Sequence, residues 1–401
     1  MNNVNRKQTG LARRIAAASA ACALSLVAQF VASEVASAAG TIGAREQAKR
    51  IFDRIAGVPA TEAQIVDMAA DIAAGRAVDA ALKATDAPSF YDVTLKNLVT
   101  PWTNRDQTVF APLNDYTATV IGMVRDNVPF NTALSADILY TVNGAGLPAA
   151  SANSNDHYDQ AEQNGVPLKA NLVATQQSTV YGTPAGATAG LITTRAASAA
   201  FFIAGTNRAM FRFTLINHLC RDMEQVHDTT RPPDRIRQDV SRSPGGDSRI
   251  FLNNCIGCHS GMDPMAQAFA YYTYDGMDAT AGKLVFTDGV VNGKYAINTD
   301  NFKPGFVTPN DAWENRWRHG PNQLLGWSDQ LPGSGNGAKS LGQELASSEA
   351  FAECQVQKVY KAVCFRMPQA SEVSSIKASF KASGYRLRQV FADSAVACMG
   401  Q

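Results

Sequence analysis

Residues Cys255-Ile256-Gly257-Cys258-His259 place two thiols three positions apart and an imidazole directly after the second. That is the spacing of covalent c-type haem attachment. Two thiols on one turn can each form a thioether with one haem vinyl group, and the adjacent imidazole then reaches the iron as proximal ligand. The expectation is one covalent haem c per chain, with Cys255 and Cys258 as attachment points and His259 as metal ligand. Two other chemistries use related patterns. A structural zinc site needs four ligands, and without a second C-x-x-C, Cys220, His218 or His227 would have to fold in. A thioredoxin-like redox pair follows a strand in a βαβ unit, which is not the pattern around 255.

The opposite face of the iron decides between electron transfer and ligand chemistry. Met262 and Met265 follow His259 too closely in sequence to wrap around the macrocycle. The remaining choices are His157, His218, His227, His319, Met277 and Met367. His227 is the preferred sixth metal ligand, because the prolines after it can fix its direction; His319 and Met277 stay open behind it. His218 lies in an apolar stretch and reads first as a core histidine. Haem propionates need positive or hydrogen-bonding partners. Arg231, Arg235, Arg237, Arg242 and Arg249 precede the motif, but Asp228, Asp234, Asp239 and Asp247 are interleaved, which favours a salt-bridged loop. Phe269, Tyr271, Tyr272 and Tyr274 follow it, as an aromatic wall or as core; Trp313, Trp317 and Trp327 read as core.

Residues 1–38 read as a secretory signal, with Arg6 to Arg14 basic, 15–31 apolar, and Ala36-Ser37-Ala38 as a small-residue cleavage site. A periplasmic or extracellular, oxidising setting follows. Seven cysteines occur. With Cys22 in the signal and two in the motif, Cys220, Cys354, Cys364 and Cys398 remain for two disulfides. Residues 343–366 read as one continuous helix, in which Cys354 and Cys364 stand about 15 Å apart along the axis, beyond disulfide reach. The expected pairs are Cys364–Cys398, closing a C-terminal helical hairpin, and Cys220–Cys354, tying it to the haem region, with swapped partners left open.

The elements that must position this chemistry read as mainly α. Helices are expected over 44–55, ending at Gly57, over 61–74 with Thr61 as cap, and over 86–98, 114–124 and 156–162. One or two buried helices fall within 196–226, with a break near Gly205 or Asn207. Asp263-Pro264 is expected to stop the motif helix, and 283–299 to form short hairpins. The domain reading is a signal over 1–38, a helical N-terminal domain over 39–150, an irregular linker over 151–190, a haem-binding domain over 191–335 with minor β hairpins, and a C-terminal helical module over 336–401. No fixed-period repeat is visible.

The chain has 401 residues, 45% apolar and 18% charged, a globular balance rather than a disordered one. Net charge is +1. Removing four basic and one acidic residue with 1–38 turns it to −2, no footprint for a nucleic acid. No second long apolar run follows the signal, which leaves no integral membrane span after cleavage. A nucleophile elbow, a phosphate loop and a dinucleotide glycine fingerprint are all missing.

Three stretches resemble the large cytochrome-c-like proteins first noted in planctomycetes, built from several domains of unknown function. Arg50-Ile51-Phe52-Asp53-Arg54-Ile55-Ala56-Gly57-Val58-Pro59 is similar to their N-terminal helix with its Gly-x-Pro turn. The run from Cys255 through Met262-Asp263-Pro264 is similar to their haem segment. Ser348 to Cys354, with Tyr385 to Phe391 after it, is similar to their C-terminal helical module. The chain departs from that pattern where Glu224 to Arg231 carries His227 in place of a shorter proline-rich loop. The resemblance implies an exported, mainly helical, single-haem protein and no particular substrate. The expected function is a monohaem c-type cytochrome passing electrons to a redox partner protein, within a larger assembly because the scaffold is large for a simple shuttle. The alternative is a haem-dependent oxidoreductase, for instance toward peroxide, with an open iron site.

Overall fold

The computed structural model describes residues 42–202, 207–235, 247–276, 281–293 and 308–400. The signal over 1–38, Met277, Arg237, Arg242 and Asp239 lie outside them. Among the described residues helices dominate, with three two-stranded antiparallel pairs, so the fold is mainly α with minor β. Among the described residues no helix is long and apolar enough to cross a membrane.

The N-terminal helices follow their local signals. In α1 (Ala44–Ala56) the apolar residues Ala48, Ile51, Phe52 and Ile55 recur at helical spacing and are all buried. Gly57 ends it in the left-handed conformation (φ 71°), where its N–H reaches the Asp53 carbonyl. A Cβ at Gly57 would also stand 2.9 Å from Thr94 Oγ1, so glycine is required twice over. Thr61 and Gln64 form a reciprocal capping box for α2 (Glu62–Ala73), and α3 (Ala77–Ala84) follows. The expected helix over 86–98 is instead a π-helical turn, Phe90–Leu95, running into Lys96–Val99. Phe90, Tyr91 and Leu95 are all buried there, and Phe90 meets Phe391 edge-on at 4.8 Å. Asn114 caps α4 (Asp115–Arg125), whose residues 115–124 are buried on every side, making it the central helix.

The chain then forms the hairpin β1 (Leu139–Val142) with β2 (Leu172–Thr175), enclosing α5 (Asp156–Gln163). Next come α6 (Arg195–Phe201) and α7 (Asn207–His218). Asp115, 1% exposed, accepts from the Arg195 and Ala196 backbone N–H groups and from the Tyr181 hydroxyl, fixing the start of α6 against α4. The motif helix α8 (Ile256–Ala266) continues through Pro264, correcting the expected stop at Asp263-Pro264. β3 (Tyr272–Asp275) pairs with β4 (Lys283–Phe286), and β5 (Ala312–Glu314) with β6 (Ser334–Asn336).

The C-terminal region contains α9 (Gly337–Ala346), α10 (Glu349–Cys364), α11 (Ala370–Ala382) and α12 (Leu387–Ala397). The continuous helix expected over 343–366 is broken at Ser347-Ser348, because Ser348 turns extended and caps α10 through its hydroxyl on the Phe351 N–H. Cys354 and Cys364 still share α10, and the disulfides are Cys220–Cys354 and Cys364–Cys398, as expected. α12 packs against α10 and α11 on one side and α1 and α3 on the other. Arg54 donates to the Cys398 carbonyl at 2.7 Å, and Arg388 pairs with Asp86 at 2.6 Å.

Candidate functional site

The π-helical turn Phe251–Cys255 leads directly into α8, so the two motif thiols flank the start of a helix. On a helical wheel Cys258, His259 and Met262 fall within about 100° of one another, while Gly257 and Gly261 lie roughly opposite His259. The glycine side is docked on the protein. A Cβ on Gly257 would stand 2.1 Å from the His227 ring, and one on Gly261 1.9 Å from Trp317 Nε1. The Asp228 N–H donates to the Gly257 carbonyl at 2.8 Å, and the Ser260 hydroxyl to the Asp228 carbonyl at 2.8 Å. The turn Met223–Val226, with its Asp222–Gln225 capping box, therefore runs into a strap that holds α8 by its back.

The opposite side of α8 carries the motif side chains. Cys255 and Cys258 are half-buried free thiols, while the four other described cysteines are disulfide-bonded. Ile250 and Leu252, just before the motif in sequence, are 43% and 48% exposed. Phe251 is buried and its ring meets the His259 ring at 5.2 Å. His259 Nδ1 lies 2.9 Å from Asp263 Oδ2, one turn along the same helix. A carboxylate only accepts, so in the neutral imidazole Nδ1 carries the proton and Nε2 the lone pair. Asp263 is 1% exposed, and its charge is balanced by Arg208, which donates from Nε to Oδ1 at 2.9 Å and from Nη2 to Oδ2 at 3.3 Å.

The residues fit a covalent haem: two free thiols three positions apart and, directly after the second, an imidazole oriented by Asp263. They fit the competing chemistries less well. Cys220, one of the ligands a zinc site would have to recruit, is held in a disulfide. Burial pushes the Cys258 thiol up, reinforced by Glu224.

The other expected ligands are dispersed. His227 reaches the motif but is seated on Gly257, the side of α8 turned away from His259. His157 is buried with both ring nitrogens engaged, by the Val142 N–H at 2.9 Å and the Pro148 carbonyl at 2.7 Å. His218 is stacked among Tyr116 and Phe351, with Nε2 2.8 Å from the Tyr116 hydroxyl. Burial holds its pKa well below the usual imidazole range, the core histidine its apolar surroundings predicted. His319 is exposed in a cleft of about 360 Å³ shared with Arg231, Arg316 and Arg318. Met367 is exposed just past α10. Of the arginines, Arg231 pairs with Asp228, Arg249 with Asp247 and Arg235 with Glu314, the salt-bridged arrangement. Phe269, Tyr272, Trp313 and Trp317 are core.

Asp263, Arg208 and the strap at Asp228 escaped the sequence reading. The four-residue spacing of His259 and Asp263 was the available signal for the first; nothing in the local sequence marks Arg208, 55 residues earlier. Comparison of the chain with known families, with curated proteins and with solved structures finds no match.

Proposed function

We propose that this chain is an exported monohaem c-type cytochrome that passes single electrons to a partner protein, akin to the planctomycete-type proteins its motifs resemble. Cys255 and Cys258 would hold the porphyrin through thioethers, and His259 Nε2 would ligate the iron. Bound there, the haem supplies a one-electron Fe(III)/Fe(II) couple. The chain's part is to fix the imidazole, present the two sulfurs beside it and cover one side of the ring with Ile250, Leu252 and Phe251.

One observation carries this reading. The buried Asp263 carboxylate holds the proton on His259 Nδ1 and so commits Nε2 to a lone pair, the arrangement that histidine ligands to metals share. The two disulfides support export, since such bonds persist in oxidising compartments. The test is to produce the chain in a host that matures c-type cytochromes and to weigh the peptide spanning 255–258. Added haem mass, with sharp ferrous absorption bands, is the expected result, and its absence overturns the proposal. Carbon monoxide added to the reduced protein then separates carrier from catalyst: no binding is expected, and stoichiometric binding would favour an open iron site and the oxidoreductase reading.

A further inference from the structure

We infer that Asp263 and Arg208 together set the reduction potential of the iron site, Asp263 lowering it and Arg208 limiting that effect. The inference rests on the haem reading above and concerns how the site is tuned. Asp263 Oδ2 is shared, 2.9 Å from His259 Nδ1 and 3.3 Å from Arg208 Nη2, while Oδ1 takes Arg208 Nε at 2.9 Å. With the Asp263 side chain 1% and Arg208 16% exposed, water screens this arrangement little.

A carboxylate accepting from Nδ1 draws that proton toward itself and makes Nε2 a stronger donor. A stronger donor favours ferric over ferrous iron, so Asp263 lowers the potential. Arg208 engages the same Oδ2 and reduces the negative charge that the imidazole proton meets. The two side chains should therefore act with opposite sign. Asp263 is a positioning residue: it touches the ligand and acts through it. A carboxylate present only to stabilise α8 through an i,i+4 contact would change stability and leave the potential where it was.

The experiment is a potentiometric titration of the haem-loaded full chain against Asp263→Asn and Arg208→Gln, with loading of each protein verified by mass. The asparagine keeps the shape and an acceptor but removes the charge. At a fixed applied potential, Asp263→Asn should raise the ferrous-to-ferric ratio more than threefold, and Arg208→Gln should lower it more than threefold. A smaller change in either loaded variant, or two changes of the same sign, overturns the inference. Should Asp263→Asn fail to fold or load, Arg208→Gln decides alone by the same threshold. A wild-type chain that takes up no haem would instead overturn the functional proposal, a distinguishable failure.

Discussion

Gly257 and Gly261 stand one turn apart on the back of α8, and each leaves room for a ring where a methyl group would otherwise be. The two rings differ in freedom. His227 is exposed and can swing aside, whereas Trp317 is fully buried and cannot. Gly261→Ala should cost about 1–3 kcal/mol, the usual range for overpacking a core, and Gly257→Ala less than about 1 kcal/mol. Denaturant unfolding of the two variants checks this, and equal losses would contradict it. A second residue-scale effect concerns pH. The Arg366 guanidinium, helped by the Tyr360 hydroxyl and the Gln369 N–H, holds the Glu372 carboxyl down at about 2, against an ordinary value of 4.5. The folded state thus binds this proton less readily than the unfolded chain. The stabilisation is complete above pH 4.5 and lost as pH falls through about 2. Because Arg366 is 44% exposed, its size should stay under about 1 kcal/mol. The stability gap between wild type and Glu372→Gln should therefore close over that interval; a gap that widened on acidification would refute the assignment.

At the scale of elements, the two disulfides do different work. Cys364–Cys398 spans 34 residues and joins the end of α10 to the end of α12, while Cys220–Cys354 spans 134 and joins the turn after α7 to α10. Replacing Cys364 and Cys398 by serine should destabilise the chain by about 2–5 kcal/mol. Peptide mapping of the intact protein should recover these two pairs; a Cys354–Cys364 link would mean that α10 does not form. The exclusion of a Cys354–Cys364 bond was legible in the sequence, because helical rise alone separates two cysteines ten residues apart; the choice between the two pairings that remained was not. Also legible were the end of α1 and the start of α2, written in Gly57 and in the Thr61 cap, and the motif itself, which is a matter of spacing. Effects that depend on tertiary context were not legible. Pro264 reads locally as a stop, but the helix docked by Gly257, Ser260 and Gly261 runs through it. Ser347-Ser348 reads as tolerable within a helix, yet the Ser348 hydroxyl finds the Phe351 N–H and starts a new one. The side of α8 on which His227 sits depends on the Asp228 strap, which joins segments about thirty residues apart.

At the scale of the whole molecule, the first and last described helices close on each other. α1 and α3 place their buried faces against α12, Gln47 donates to the Gly400 carbonyl at 2.7 Å, and the Phe130 N–H donates to the Tyr385 carbonyl at 2.8 Å. Phe391, at 0% exposure, fills the space beside Phe90. The apolar stripe of α1 packs mainly on α2, α3 and the π-helical turn Phe90–Leu95, with α12 and α10 completing the cover, and its helicity depends on packing more than on propensity. Deleting α11 and α12 by ending the chain after residue 368 removes α12 from that cover and leaves Cys364 without its disulfide. Hydrogen exchange should then show α1 and α3 losing protection along with α10, as one cooperative unit rather than as separate modules. Full protection of α1 to α3 in the shortened chain would instead make 39–150 a self-sufficient domain. The expected outcome has a consequence for the motif. α10 reaches α7 through Cys220–Cys354, and α7 supplies Arg208 to Asp263. On the proposed haem reading, loss of the C-terminal hairpin should loosen the carboxylate that holds His259, and the shortened chain should then acquire less haem in a maturation-competent host than the full chain.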